Sequence, residues 1–587
     1  MNTPSRATRS PLREVALRLG VILVAACAHR TPARTPTMTD ASSTAPPAAH
    51  QDRPDAQPPA DLVLLGGPIY TQDEAAPRAD ALAVTGGRIT FVGPSDGARR
   101  LIGPQTRVID LGGRAVTPGL VDGHCHLYGL GHASEQIALR GLTSVTEIAR
   151  RVAEAAQGRA VGEWIEGRGW DQNLWSPPEF PTHKPLDQAA PRHPVLLRRI
   201  DGHALWANAE AMRRAGVTRQ TADPSGGRIV RDDHGDPTGV FIDHAMSLVE
   251  AAVPRDTPEA VARKIQLAAD QAVAAGLTGI HEMGVGDDVI AVYRRLAAEG
   301  RLKLRVYAFL SGDHQIDSLP TRRPLIDEHD RFTLRAVKLY ADGALGSRGA
   351  ALLRPYSDDP KNSGLLLMTQ PELDHAARVA AASGWQVGIH AIGDRANRMV
   401  LDAFAAAGAG KAPGELRFRV EHAQILDPAD IPRFAQLGVI AAMQPTHATS
   451  DMPWAGARLG SERLRGAYAW RSLLKTGAHI VGGSDFPVEE VPPLLGLYAA
   501  VTRQDGAGHP PGGFLPEERL TLDEALRIYT VEPAWAEFAE ARRGRIQVGQ
   551  DADLTVYDRD LRPDRSLLET RIDYTIVGGR IVHERHP

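Results

Sequence analysis

Two histidines, His124 and His126, end an apolar run at residues 116–126 of this 587-residue chain. Their type and spacing suit the binding of a metal ion. Side chains at alternate positions of a strand point to the same side of it, so both imidazoles could contact one metal ion. Taken alone, the pair indicates no more than two ordinary histidines at a strand end. Its meaning depends on what the later strands carry.

Four further ionisable residues lie in later apolar runs. Lys338 lies inside one such run, where an unpaired ammonium group would be costly. His390 and His422 each end a run, and Asp485 ends another, just before Phe-Pro. Each residue has an ordinary explanation by itself, as a core histidine, a lysine that reaches solvent or a turn-forming aspartate. Their recurrence at successive strand ends favours one shared metal site.

The elements that position these residues follow from the middle of the chain, where short apolar strands alternate with alanine-rich helical stretches. This alternation predicts an α/β fold with a parallel sheet. Eight strand ends can be placed, which is the number that a (β/α)8 TIM barrel requires, and the carboxyl ends of barrel strands carry the active site. His281 is interpreted as a core or supporting residue rather than a ligand. The predicted strand ends are His126, His281, Phe309, Tyr340, His390, His422, Met443 and Asp485.

The two ends of the chain share short strand-like runs separated by glycine pairs, a pattern typical of a small β-sandwich. Residues 61–116 and 540–587 are therefore predicted to form one composite sandwich, with the barrel of residues 117–539 between them. Residues 127–254, after the first barrel strand, are too many for one helix and its loops. They contain a probable β-hairpin and several tryptophans. We expect this insertion to form a folded cap over the barrel mouth.

The N-terminus has the pattern of an export signal, with arginines before the short apolar run 19–26. That run is too short to span a bilayer core of roughly 30 Å permanently. It ends at Cys27 in a sequence that resembles the lipobox of bacterial lipoproteins. Residues 1–27 are therefore predicted to be a lipoprotein-type signal peptide, and residues 28–60 a disordered tether. The expected location is the cell envelope, at the outer membrane or the periplasmic face, and a soluble periplasmic protein is the alternative.

Composition limits the expected partners. The net charge is -4 at pH 7, without long runs of one sign. Nothing in this balance favours nucleic acid or another polyanion. A small molecule is therefore the expected partner. Membrane contact is expected only through the lipid anchor. The sequence leaves open whether the chain forms a homo-oligomer.

Several segments besides the histidine and acid pattern resemble the amidohydrolase superfamily and, within it, the amidohydrolase family 3 group of YtcJ-like hydrolases. The likeness extends from about residue 61 to about residue 580. It covers the predicted sandwich, the barrel and the insertion. These matches are specific for the family and much less specific for a substrate. The matching segments are residues 201–208, 226–229, 342–350 and 390–394.

The resemblance implies a metal-dependent hydrolase with two divalent metal ions, usually Zn2+. A CO2-derived carbamate on Lys338 would bridge the two ions. Carboxylation turns a buried cation into an anion with oxygen donors, and neutral imidazoles and carboxylates are suitable zinc ligands. By the same resemblance, the metal ligands are His124, His126 and Asp485 for one ion, His390 and His422 for the other, and the bridging Lys338.

The predicted reaction is hydrolysis of a non-peptide C–N bond of amide type in a small molecule. A metal-bridging hydroxide would attack the carbonyl, and Asp485 would serve as general base and then as general acid. One alternative is deamination or C–O bond hydrolysis in the same fold. Lys338 disfavours deamination, because mononuclear deaminases of the superfamily generally do not rely on such a lysine. Another alternative is a metal-retaining binding lipoprotein without catalysis.

Polar residues of the cap and of the segments after later strands are candidates for contact with substrate. His203 is the second catalytic candidate, because it could hydrogen-bond the substrate or the transition-state oxyanion; a structural pair with Asp201 is the alternative. Asp342 and Arg348 could orient the carbamate or bind a substrate carboxylate. Two further residues follow strand seven and face the same mouth. The substrate-binding candidates are Asp201, Asp342, Arg348, Gln444 and His447.

Overall fold

The computed structural model describes residues 58–312, 315–326 and 331–586. The predicted signal peptide, and the predicted tether as far as residue 57, lie outside the described residues. Ala60, at the predicted end of the tether, is buried, and its amide donates to Leu101 O over 2.8 Å. Among the helices of the described ranges, none combines the length and the apolar character that a membrane span requires.

The strands form three sheets, which occupy different stretches of the chain. In chain order they are β1 Leu62–Tyr70, β2 Arg78–Thr85, β3 Arg88–Gly93, β4 Arg107–Asp110, β5 Val116–Pro118, β6 Leu120–Cys125, β7 Ile137–Ala138, β8 Ile165–Trp170, β9 Val195–Arg199, β10 Ala204–Ala207, β11 Gly227–Arg231, β12 Pro237–Asp243, β13 Leu277–Val285, β14 Arg305–Ser311, β15 Leu325–Ile326, β16 Phe332–Tyr340, β17 Gln386–Ala391, β18 Arg419–His422, β19 Ile440–Met443, β20 Ile480–Gly482, β21 Leu554–Tyr557, β22 Ile572–Val577 and β23 Arg580–Glu584.

Two of the longer helices, α7 and α9, begin at side-chain caps. The Thr257 side chain accepts from the Ala260 amide before α7, and Thr369 and Glu372 form a capping box before α9. In chain order the helices are α1 Ser95–Arg99, α2 Leu127–Ala133, α3 Val145–Ala156, α4 Lys184–Ala189, α5 Ala209–Arg214, α6 Ser247–Glu250, α7 Pro258–Ala274, α8 Asp287–Ala298, α9 Gln370–Ser383, α10 Asp394–Ala407, α11 Ile431–Leu437, α12 Pro445–Arg463, α13 Trp470–Lys475, α14 Pro493–Thr502, α15 Leu522–Ile528 and α16 Val531–Ala536.

Strands from both ends of the chain share the first sheet, in the order β23-β22-β21-β5-β1-β2-β3, with β4 beside β1. The antiparallel pairing of β21 with β5 joins the C-terminal strands to the N-terminal ones. Leu64 and Leu82 from one end and Leu554 and Ile576 from the other are buried in one apolar cluster. The small β-structure is therefore built from both chain ends, and its strands form one continuous hydrogen-bonded sheet.

The parallel strands of the middle region form the barrel, in the order β6-β13-β14-β16-β17-β18-β19-β20. Helices α7 to α13 lie between its later strands in the chain, so the predicted (β/α)8 TIM barrel is confirmed. The predicted end of the second strand at His281 is wrong, because β13 continues to Val285. His281 therefore lies inside the strand, and its side chain is completely buried.

The first and last barrel strands are held together at their carboxyl ends. The Asp485 amide donates to His124 O over 2.7 Å, and the His126 amide donates to Phe486 O over 2.9 Å. Beside them, the buried carboxylate of Asp122 accepts from the Ser484 hydroxyl over 2.6 Å and from the amides of Ser484 and His124, both at 3.1 Å. These bonds bring His124 of β6 and His126, which directly follows β6, next to Asp485.

The insertion after the first barrel strand folds as the third sheet, in the order β11-β12-β10-β9-β8-β7. It contains the predicted antiparallel hairpin, formed by β11 and β12. Its core is aromatic, with the ring centroids of Trp170 and Trp175 5.8 Å apart and those of Trp170 and Trp206 6.1 Å apart. The cap predicted at this point of the fold is therefore present between α2 and α7.

A buried ion pair joins the first sheet to the barrel. Arg305 of β14 donates to both carboxylate oxygens of Asp553, over 2.7 and 3.0 Å, and their side chains are 11% and 7% exposed. We expect Asp553→Ala to lower the free energy of unfolding by about 3–5 kcal/mol, because it leaves a buried guanidinium without its bidentate partner. Urea denaturation, followed by tryptophan fluorescence, measures the loss.

The matched control is Asp523→Ala, which breaks the pair between Arg78 and Asp523. Those side chains are 45% and 63% exposed, so solvent weakens the attraction and we expect a loss of at most about 1 kcal/mol. Equal losses for the two variants would contradict a stabilising role for the buried pair.

Candidate metal centre

His124, His126 and Asp485 form a group whose ligand atoms all lie within 4.8 Å of one another. His126 Nε2 lies 3.1 Å from Asp485 Oδ1, and His124 Nε2 lies 3.6 Å from the same atom. This proximity follows from the bonds that join the first and last barrel strands. Imidazole nitrogen and carboxylate oxygen are donors that a zinc ion accepts, so the group fits one divalent ion.

The backbone is strained at two of the predicted ligands. Asp485 has φ +61° and His422 has φ +76°, both in the left-handed region that non-glycine residues seldom adopt. Such conformations persist only where the surroundings hold them, and they are common at functional sites. Burial opposes ionisation of Asp485, but the bond to His126 and the nearby His124 lower its pKa below the usual value. The carboxylate is therefore charged.

His390 and His422 extend the site across the barrel mouth. Their ring centroids lie 4.5 Å apart, and that of His422 lies 4.7 Å from His124. Burial lowers the pKa of both His390 and His422 well below the usual value, so their rings are neutral, as metal binding requires. His422 Nδ1 donates to Gln444 Oε1 over 2.8 Å, which fixes the orientation of the ring.

Lys338 is the last of the predicted metal ligands. Its side chain is buried, and its Nζ lies 4.3 Å from the centroid of the Tyr340 ring. The structure brings all the predicted ligands together, because they line one cavity: His124, His126, Lys338, His390, His422 and Asp485.

Charged residues inside the barrel support His124. Its Nδ1 donates to Glu421 Oε2 over 2.6 Å, and Arg419 Nε lies 2.7 Å from Glu421 Oε1. Burial by itself would raise the pKa of Glu421, but Arg419 and His124 lower it to about 2. Arg419 also donates to His281 Nδ1 over 2.7 Å, so His281 belongs to this network. Sequence reasoning missed Arg419 and Glu421; two charges at alternate positions of an apolar strand were the available signal.

The cap contributes His203 to the site. Its Nδ1 donates to Asp243 Oδ1 over 2.7 Å, and its ring centroid lies 4.9 Å from that of His390. Burial lowers the pKa of His203, but the bond to Asp243 outweighs it, so the pKa is raised overall. Asp201 does not contact the ring; its carboxylate accepts from the His203 amide over 3.0 Å and pairs with Arg199.

Sequence reasoning also missed Asp243, the last residue of β12. Its side chain packs against two glycines of the loop after Lys338. A Cβ at Gly343 would lie 2.6 Å from Asp243 Oδ2, and one at Gly349 would lie 2.9 Å from the same atom. These glycines therefore leave the room that the carboxylate needs to reach His203. An acid at the end of the predicted hairpin was the only signal for it.

Asp342 and Arg348, which were expected to contact the substrate or to orient the carbamate, line neither of the two cavities at the site. The Asp342 carboxylate accepts from the amides of Ala351, Ile392 and Gly393, over 2.8 to 2.9 Å. Burial raises the pKa of Asp342 to about 7. Arg348 instead pairs with Asp358, over 3.0 Å. Arg348 therefore stabilises a loop, whereas Asp342 holds loop amides beside the site, with its Oδ1 3.6 Å from His390 Nε2.

Two cavities meet at the metal site. The larger has a volume of about 570 Å³ and lies between the cap and the barrel, and the smaller has about 260 Å³. Asp201 and His203 line both, whereas His447 lines the smaller one, with its Nε2 3.8 Å from Asp485 Oδ2. Gln444 reaches the site through His422 rather than through a cavity. Cavities of this size accept a small organic molecule.

Comparisons with known proteins point to one family. A family model described as "Amidohydrolase family" matches residues 107–583. The chain is 36% identical to "Putative amidohydrolase YtcJ" of Bacillus subtilis strain 168, over 89% of this chain and 99% of that protein. It is 30% identical to the N-substituted formamide deformylase of Arthrobacter pascens, over 89% and 98%. A crystal structure of an uncharacterised metal-dependent hydrolase from Pyrococcus horikoshii OT3 superposes with a TM-score of 0.70 at 29% identity, over 89% and 100%.

The bond between His422 and Gln444 yields a prediction about metal affinity. We expect Gln444→Leu to weaken metal binding by about 10–100-fold, because a hydrogen-bond partner that orients a ligand contributes about that much. Competition with a chelator of known affinity measures the change.

Gln386→Leu is the matched control. It removes a buried amide at the amino end of β17, where Gln386 accepts from the Tyr307 hydroxyl over 3.0 Å. We expect this variant to lose thermal stability and to bind metal as the unchanged protein does. Unaltered affinity in Gln444→Leu would show that Gln444 does not support a ligand.

Proposed function

The chain belongs to the amidohydrolase family, and on this premise we propose that it hydrolyses a non-peptide C–N bond of amide type in a small molecule. The observation that carries the proposal is the convergence of the predicted ligands on the cavity between barrel and cap. The name of the Arthrobacter pascens relative, an N-substituted formamide deformylase, supports a bond of this type.

The donor set of this structure fits two divalent metal ions, and we propose zinc. His124, His126 and Asp485 would hold one ion, and His390 and His422 would hold the other. Lys338, as its carbamate, would supply oxygen donors to both. When bound, such ions lower the pKa of water and polarise a carbonyl group. The neutral rings and the charged carboxylate suit the positive charge that the site would contain.

Asp485 is the proposed proton carrier. Its carboxylate lines both cavities, so it can reach a water molecule that attacks the substrate carbonyl and also the nitrogen that leaves. We propose that it takes a proton from that water and passes it to the leaving nitrogen, as a general base that becomes a general acid. The same carboxylate also lies 3.1 Å from His126 Nε2.

His203 is proposed to contact the carbonyl oxygen. Asp243 engages Nδ1, so Nε2 is the ring nitrogen that can face a substrate. His203 lines both cavities and therefore lies where they meet. A hydrogen bond to an oxyanion stabilises the transition state more than the ground state when the donor is already in place.

The proposal predicts hydrolysis by the metal-loaded protein within a panel of N-formyl amines, N-acyl amines, lactams and esters, with amide-type substrates preferred. In Asp485→Asn we expect turnover to fall by about 10²–10⁴-fold, because the amide cannot accept the proton. Product formation is followed by chromatography, and bound metal by mass spectrometry.

Asp394→Asn is the control, since Asp394 begins α10, lines neither cavity and accepts from the Leu353 amide over 2.8 Å. We expect the Asp394→Asn variant to keep the turnover of the unchanged protein. Uniform inactivity of the fully loaded protein on every substrate would refute the proposed function. Near-normal turnover of Asp485→Asn with its metal retained would refute only the role of Asp485.

A second variant tests the contact between His203 and Asp243. We expect Asp243→Asn to lower kcat by about 10–100-fold with bound metal unchanged, because the neutral amide no longer holds the proton on His203 Nδ1. Asp236→Asn is the control, since Asp236 lies in the same hairpin and pairs with Arg219 at the surface. An unchanged kcat in Asp243→Asn would mean that the pair only stabilises the cap.

A further inference from the structure

We infer that Arg168 binds a carboxylate of the substrate, so that the preferred substrates are amides that carry an acidic group. This inference rests on the proposed function and narrows its substrate class. Arg168 belongs to β8 of the cap sheet and lines the larger cavity, which His203 and Asp485 also line. Its guanidinium group therefore shares one chamber with the residues proposed to act on the amide.

Few protein groups engage the Arg168 guanidinium. Nη2 donates to Ile200 O over 3.3 Å, and Nε is buried without a hydrogen-bond partner among the described residues. Within the described ranges, no carboxylate lies within ion-pair distance of Arg168. A Cβ at Gly202 would lie 3.7 Å from Arg168 Nη2. The guanidinium group therefore lies beside the residue that precedes His203, at the wall of the cavity.

The neighbouring arginines of the cap differ from Arg168 in this respect, because each has an acidic partner. Their charges are balanced within the protein, and they need no ligand. The pairs are Arg198 with Glu250, Arg199 with Asp171 and Asp201, and Arg140 with Glu489.

The acids of the larger cavity are also engaged, so they leave the Arg168 guanidinium to a ligand. Glu166 lies 3.1 Å from His132 Nε2 and accepts from Gln136, and Glu282 accepts from the backbone amides of Leu127 and Tyr128. The remaining acids of the cavity wall have the partners described above: Asp201, Asp243, Glu250 and Asp485.

Burial of an arginine without a carboxylate at ion-pair distance is costly, since its charge loses solvation, and the more distant Asp485 and Asp201 offset only part of this loss. Burial lowers the pKa of Arg168 to about 10, which still leaves it positively charged at neutral pH. A guanidinium group matches a carboxylate in geometry, because two parallel N–H donors meet two oxygens. A substrate carboxylate at this position would offset the cost and place the attached amide toward His203 and Asp485.

The test compares two substrates that differ only in the acidic group, N-acetylphenylalanine and N-acetylphenethylamine, with their N-formyl counterparts as a second pair. We expect the metal-loaded protein to favour the acid in kcat/KM by about 10–100-fold, the range of a charge-assisted hydrogen bond. In Arg168→Met this preference should disappear, and in Arg168→Lys, which keeps the charge and loses the paired donors, it should be intermediate.

Arg228→Met is the matched control, since Arg228 is an exposed arginine of β11 in the same cap sheet and lines neither cavity. We expect it to keep the preference of the unchanged protein. Thermal denaturation of each variant identifies any loss of folding, and Arg168→Lys serves as the test if Arg168→Met does not fold.

Calorimetric binding of the same compounds to the metal-loaded protein separates this inference from the proposed function. Tighter binding of the acid that Arg168→Met abolishes would support the carboxylate site even if no amide were hydrolysed. Equal affinity and equal kcat/KM for acid and neutral amide, or an equal loss of both in Arg168→Met, would overturn it. Hydrolysis of amides without preference would therefore leave the proposed function intact and refute only the role of Arg168.

Discussion

The structure depends on the hydrogen bonds that the buried carboxylate of Asp122 makes across the junction of the first and last barrel strands. This carboxylate accepts from Ser484 and from the amide of His124, while the backbones of β6 and of the segment after β20 bond to each other directly. Two glycines allow this approach. A Cβ at Gly483 would lie 2.6 Å from His124 N, and one at Gly123 would lie 2.8 Å from Gly482 O. Without this junction, the histidines of the first strand and Asp485 would not meet.

Three histidines of the site are each oriented by a second residue at Nδ1. Glu421 engages His124, Gln444 engages His422 and Asp243 engages His203. Such partners fix the orientation of the ring and determine which ring nitrogen is available. The side chains are therefore already ordered before a metal ion or substrate binds. The Arg419 guanidinium extends this support into the barrel core, because it keeps Glu421 ionised in a buried position.

The cap follows directly from the metal-binding strand. The chain leaves His126 into α2 and then into the cap sheet, so the cap residues that line the cavity follow directly in the chain from two of the predicted metal ligands. Glu282 of β13 accepts from the first amides of α2, which fixes the direction in which the chain leaves the barrel. His203 and Arg168 thereby face the same chamber as the ligands. A change in the cap loops can alter the choice of substrate while the metal ligands stay in place.

The amino-acid sequence by itself determined the barrel architecture and which predicted ligands share its mouth. Strand and helix periodicities lead to a barrel, and the carboxyl ends of parallel strands converge, so the sequence assigns His124, His126, Lys338, His390, His422 and Asp485 to one mouth. Tertiary structure decided the rest. Glu421 is 297 positions from His124, and Ser484 is 362 from Asp122, so no local pattern links these partners. The side chains of Asp342 and Arg348 are near Lys338 in sequence, yet closer protein partners engage them. Hydrogen-bond partners depend on which strands and loops meet in space, and local periodicity carries no information about that.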